Sequence, residues 1–163
     1  VAGREPLALG VVTLEQADRE YTLPPMQHTV GAALGDVARL EGFDLESETV
    51  RLGEPLRLTL YWQAINDSAV PVGYAVFTHL LDPQNRVIAQ HDGQPAEGHW
   101  PTTTWIKGQV IVDPHDLTFR EGADYEGEAL LEVGLYNPQG FQRLATPGGD
   151  DRVVLAVKVN VTR

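Results

Sequence analysis

The sequence predicts an all-β fold, specifically a two-sheet antiparallel β-sandwich of immunoglobulin-like or jelly-roll-like type. Three observations predict it. Apolar and polar residues alternate in several segments, turn-forming clusters separate those segments, and no stretch carries a 3.6-residue apolar repeat. Successive side chains of a strand point to opposite faces, so an alternating segment has one dry and one wet side.

The pattern is clearest over residues 56–62, where Leu56, Leu58, Leu60 and Trp62 share a face opposite Arg57, Thr59 and Tyr61. Residues 128–136 place Ala129, Leu131, Val133 and Leu135 inward, and residues 152–161 do the same with Val153, Leu155, Val157, Val159 and Val161. Further strands are expected over residues 37–43, 74–81, 86–91, 109–112 and 117–119, and near 9–14. Asp82-Pro83-Gln84-Asn85, Asn137-Pro138-Gln139-Gly140 and Pro147-Gly148-Gly149-Asp150 read as reversals, since proline presets one turn position and Gly or Asn accepts positive φ. The pairs they join are expected to be antiparallel. Residues 1–33 are expected to be a lead-in strand and a Pro-rich strap, because Leu23-Pro24-Pro25-Met26-Gln27-His28 is too rigid to join a central strand. Residues 34–163 are expected to be the sandwich, within one domain overall.

Composition narrows the function. With 23 acidic and 12 basic side chains and a net charge of −11, the surface repels a phosphate backbone, so nucleic acid is not an expected partner. Lys107 and Lys158 are the two lysines, too few for a polybasic membrane patch. Apolar runs such as Val153 to Val157 fall far short of the ~20 residues that span a bilayer. The chain opens at Val1 with neither initiator Met nor signal pattern, which reads as a piece of something longer. Any membrane contact is then expected only through segments outside this sequence. The absence of cysteine excludes disulfides, thiolate metal ligands and a cysteine nucleophile.

No residue pattern marks a catalytic centre, and no enzyme, cofactor or metal is expected. Ser47 and Ser68 lack a nucleophile elbow. His28, His79, His91, His99 and His115 lack ligand spacing, and alternation makes His79 a half-buried, hydrogen-bonded histidine. Asp113 with Asp116, and Asp150 with Asp151, read as solvated turn acids. The segment from Asp92 to Trp105 differs: it is a long Gly-, Pro- and Thr-rich connection holding Trp100 and Trp105 beside hydrogen-bonding side chains. Its aromatic faces would stack on a sugar ring while Asp92 and Gln94 bond hydroxyls, with Tyr61 as a wet-face aromatic. The alternative is that Trp100 and Trp105 plug the open end of the sandwich.

The ordered motifs Leu40-Glu41-Gly42-Phe43-Asp44-Leu45, Leu58-Thr59-Leu60-Tyr61-Trp62-Gln63-Ala64, Val76-Phe77-Thr78-His79-Leu80-Leu81-Asp82 and Leu131-Glu132-Val133-Gly134-Leu135-Tyr136 resemble a known domain type. Together with Ala89-Gln90-His91-Asp92-Gly93 and Pro101-Thr102-Thr103-Thr104-Trp105, they resemble an uncharacterised C-terminal β-sandwich domain of Chloroflexi-type polytopic membrane glycosyltransferase-like proteins. That resemblance implies a non-catalytic extracytoplasmic accessory module, at the cell surface or envelope, tethered by membrane helices elsewhere in its parent. A glycan or a protein is the expected partner: carbohydrate or envelope-glycan binding is one reading, and a purely structural or protein-interaction domain is the other.

Overall fold

The computed structural model describes residues 18–163. The described residues form nine strands: β1 (His28–Leu34), β2 (Ala38–Leu45), β3 (Thr49–Arg51), β4 (Leu56–Ala64), β5 (Ala75–Leu81), β6 (Val87–Gly93), β7 (Val110–Phe119), β8 (Gly127–Tyr136) and β9 (Val153–Thr162). Two short 3-10 turns, Pro95–Gly98 and Thr102–Thr104, lie between β6 and β7, and there is no α-helix among the described residues. The strand expected near residues 9–14 lies outside the described residues.

The architecture corrects the expected two-sheet sandwich. All nine strands belong to one mixed sheet in the order β1-β2-β4-β7-β6-β5-β8-β9-β3, curled into a half-barrel. Strand β7 is the reason. Val110 to Leu117 pair with β4, and the next two residues, Thr118 and Phe119, pair with β6, so the ladder turns a corner without breaking. Residues 109–112 and 117–119 are therefore parts of one strand. Pro114 interrupts the sequence pattern between them, but β7 is bonded to β4 alone at that point, and the missing N–H breaks no ladder bond.

One pair is not antiparallel. Strand β3 runs parallel to β9, with Val50 opposite Val161, so the chain leaves β2, crosses to the far edge and returns for β4. Three residues are too few to show alternation. Within the expected strap, residues 28–34 form the edge strand β1, paired with β2 across a register shift that contains Gly31 at φ +74°. A bulge of this kind twists a sheet edge away from further pairing.

The inward faces are those the alternation predicts. Leu58, Leu60 and Trp62 on β4 and Leu131, Val133 and Leu135 on β8 belong to one hydrophobic core, and all six are at most 1 % exposed. Each such burial contributes roughly 1.5–3 kcal/mol. Outside the sheet, Gly134 lies under Phe77: a Cβ there would sit 2.4 Å from Phe77 Cζ. Gly134→Ala is expected to destabilise the fold by about 1–3 kcal/mol through overpacking, seen as a lower urea midpoint with an unchanged slope.

Candidate functional site

The structure separates the five residues on which sequence reasoning converged. Trp105 is only 4 % exposed, its indole N–H donates to the Trp100 carbonyl at 2.8 Å, and its ring packs in the hydrophobic core. Trp100 is half-buried, with the Arg19 guanidinium 4.8 Å from the ring centre. Gln94 donates to the Gly73 carbonyl at 3.1 Å, and its own carbonyl oxygen is buried without a partner.

Tyr61 is not on a wet face. It is buried, and Met26 packs over Gly42, its partner on β2, where a Cβ would lie 2.3 Å from the Met26 sulfur. Its hydroxyl donates to Asp44 Oδ2 at 2.7 Å. Burial first, then the hydrogen bond and charge of Asp44, push the phenol up to about 12. Of the five, Asp92 lines a groove with other polar and aromatic side chains, and Trp100 lines a separate one with Asp18, Glu20, Glu97 and His99.

Asp113 is the second correction, since it is no turn acid but a fully enclosed side chain in the middle of β7. Its Oδ1 accepts the Ala96 N–H at 2.8 Å, and its Oδ2 accepts the Trp62 indole N–H at 2.9 Å. The same Oδ2 lies 2.8 Å from His115 Nε2, which donates to it. That fixes the tautomer: in neutral His115 the Nδ1 is an acceptor, and His91 Nδ1 at 2.8 Å donates into it. Burial, followed by the neighbouring His115, holds His91 below its ordinary value despite three nearby acids. Asp116, by contrast, is exposed beside Arg57.

The groups that gather on an accessible surface lie on the outer face of β5, β6 and β8. Pairing sets Phe77 beside Asp92 and Gly134, and His79 beside Glu132. The missing side chain at Gly134 lets Phe77 lie flat, and the Arg143 guanidinium stacks 4.0 Å above its ring. Arg143 arrives there because the reversal at 137–140 folds the chain back, bridging Tyr136 to Arg143. The same turn lifts Phe141 to 76 % exposure and stacks it on Tyr136, with ring centres 6.2 Å apart and planes 16° from parallel. Phe77, His79, Asp92, Tyr136, Phe141 and Arg143 enclose an open groove of about 280 Å³.

Electrostatics knit its floor. Glu132 is 3 % exposed and accepts from His79 Nδ1 at 2.9 Å and from Arg152 at 2.5 Å. His79 Nε2 lies 3.4 Å from Asp92, so both ring nitrogens face carboxylates. Burial alone would lower the imidazole, but hydrogen bonds to Asp92 and Glu132 and the charges of both outweigh it and raise it above 6.5. Burial likewise opposes ionisation of Glu132, yet hydrogen bonds from His79 and Arg152 bring it below 4.5. Tyr136 is raised by burial and by Asp92. Of this cluster, sequence reasoning reached Asp92 and the half-buried, hydrogen-bonded state of His79. Period-two alternation also put Glu132 and Tyr136 on one face, but nothing local in sequence aims Arg143 or Phe141 at it.

Comparison with known proteins supports the fold. No protein-family model matches the chain, and no curated protein matches it by sequence. Among solved structures, the C-terminal domain of wzt is similar, with 11 % identity, a TM-score of 0.51, and coverage of 85 % of this chain and 83 % of that one. At that identity the likeness concerns the fold alone. The CARDB domain of the PF1109 protein from Pyrococcus furiosus, in complex with di-metal ions, gives a TM-score of 0.40 at 9 % identity over 90 % of this chain and all (100 %) of that one. A mutant β-glucosidase from Listeria innocua in complex with laminaribiose gives 0.38 at 17 % identity over 74 % of this chain and 16 % of that one.

Two expectations follow. Asp113→Ala leaves the Trp62, His115 and Ala96 donors unpaired in the interior, and a loss of about 3–5 kcal/mol is expected in urea unfolding. For the outer pair, the raised His79 contributes stability that is complete below 6.5 and lost as pH rises through its folded value. The lowered Glu132 contributes stability that is complete above 4.5 and lost as pH falls through its folded value. Their joint contribution is thus largest between those values. Comparing wild type with His79→Gln across pH should show the difference in unfolding midpoint shrinking above that window, and a constant difference would refute the coupling.

Proposed function

We propose that this chain is a non-catalytic accessory domain that binds carbohydrate in the groove on the outer face of β5, β6 and β8. One observation carries the reading: Phe141, a large aromatic 76 % exposed, is stacked on Tyr136 at the rim of a groove floored by Asp92, His79 and Arg143. An exposed ring beside a few fixed polar groups suits a sugar, which offers an apolar C–H face and a rim of hydroxyls. The fold likeness to the C-terminal domain of wzt supports an accessory role, because that neighbour is one domain of a larger protein. Location outside the membrane, on a tethered glycosyltransferase-like parent, belongs to the same proposal and rests on the motif resemblance.

A second reading draws on a different observation. Leu130 and Val154 are 40 % and 50 % exposed on the outer faces of β8 and β9, an apolar strip that suits a protein partner. A glycan array separates the two. The native domain is expected to retain envelope-type glycans, Phe141→Ala to lose about tenfold in affinity, ~1.4 kcal/mol, and Leu130→Ser with Val154→Ser to retain them unchanged. Absence of any glycan bound by the native domain would sink the carbohydrate reading.

A further inference from the structure

We infer that the groove takes one neutral hexopyranose ring, with adjacent hydroxyls bridging the Asp92 carboxylate and the Arg143 guanidinium and with one apolar ring face against Phe141. This rests on the carbohydrate-binding reading above and narrows it to a ligand class.

Size limits the ligand. At about 280 Å³ the groove lies just below the ~300–1,000 Å³ typical of small-molecule sites, which suits one ring better than a run of several.

Charge disfavours ionised sugars. Each cation facing the groove already has a carboxylate within 4 Å. Arg152 holds Glu132 at 2.5 Å, Arg143 lies 3.8 Å from Glu132 and 3.7 Å from Asp151, and His79 sits between Glu132 and Asp92. A uronate, phosphate or sulfate would enter beside three acids with no cation left to itself. An ammonium sugar would meet Asp92 but would also lie beside Arg143 and the imidazole that Asp92 and Glu132 favour as a cation.

Unused hydrogen-bonding capacity points to hydroxyls. The Arg143 contacts of 3.7 and 3.8 Å exceed hydrogen-bond length, so its N–H groups want acceptors, while Asp92 faces His79 at 3.4 Å and the Tyr136 hydroxyl but stays one-third (33 %) exposed, with lone pairs open to a further donor. A vicinal diol meets both demands, one hydroxyl donating to Asp92 and its neighbour accepting from Arg143. Both side chains are partly exposed.

The aromatic rim is held ready. Phe141 adopts φ 59°, a left-handed conformation unusual for a large side chain, and its N–H donates to the Asn137 carbonyl at 2.7 Å. Asn137 Oδ1 also accepts the Gln139 N–H at 3.0 Å, so the turn that presents the ring is braced from inside. A sugar ring stacking there meets an ordered partner.

The test is a chemical-shift titration of the isotope-labelled domain with methyl glucoside, methyl galactoside and methyl mannoside, with glucuronate and glucosamine as charged comparisons and longer neutral oligosaccharides as a length comparison. At least one neutral monosaccharide is expected to give saturable shifts at Phe141, Tyr136 and the Arg143 side chain, with glucuronate at least about tenfold weaker, ~1.4 kcal/mol. Asp92→Asn is expected to abolish those shifts while the unfolding midpoint stays near wild type. Should that variant unfold, Arg143→Gln gives the same readout. Equal or tighter binding of a charged sugar at these residues overturns the neutral-ligand inference and leaves carbohydrate binding standing. Binding seen only with longer oligosaccharides overturns the single-ring inference. Silence with every sugar removes both this inference and the function it rests on.

Discussion

A carboxylate taken out of water must find donors, and Asp113 finds them on three separate pieces of chain. Trp62 on β4, His115 on β7 itself and the backbone of Ala96 in the long connection all converge on its two oxygens. Because Oδ1 serves the connection and Oδ2 serves the strands, one side chain fixes where the segment between β6 and β7 lies on the interior. Ala96 and Glu97 are held at φ 53° and 55°, conformations that survive only where surroundings over-determine them. The bond from Ala96 to Asp113 is one such constraint, and the downstream segment is held separately, by Thr102 on the Val72 carbonyl and by Asn66 on the Trp105 carbonyl.

Strand β7, which carries Asp113, is also where the sheet turns. It leaves β4 after Leu117 and joins β6 at Thr118, so the two halves face one another across a shared core while remaining one hydrogen-bonded surface. The parallel pairing of β3 with β9 ties the opposite edge back to the chain between β2 and β4. No second sheet is needed to cover the apolar face, because the curl lets the sheet cover itself.

The outer face repeats the problem with the opposite solution. Glu132 is nearly as enclosed as Asp113, but its partners are the cation Arg152 and the imidazole of His79, with Arg143 farther off. Asp113 is met by neutral indole and amide donors and by His115, and is itself fully enclosed. Glu132 instead orders charged side chains whose far ends stay accessible, and Asp92 and Arg143 become a donor–acceptor pair on a rigid strand floor. The absence of a side chain at Gly134 permits this, since Phe77 and then Arg143 stack into the space above it.

What the sequence determined by itself is the side-to-side character of each long strand. Leu56 to Trp62, Ala129 to Leu135 and Val153 to Val161 bury the residues that alternation assigns to the core, because a two-residue period is a property of the local backbone. The turns at Asp82 and Asn137 were legible for the same reason, since their proline and asparagine preferences are local. Only tertiary structure decided that β7 joins two halves into one sheet, that a three-residue β3 pairs in parallel, and that Met26 packs over Gly42 beside a buried Tyr61. It alone also turned Asp113 from a surface acid into a buried hub and brought Arg143 and Phe141 over a groove whose floor alternation had half drawn. Those outcomes depend on which strands meet, and pairing between residues far apart in the chain leaves no periodic mark on either partner.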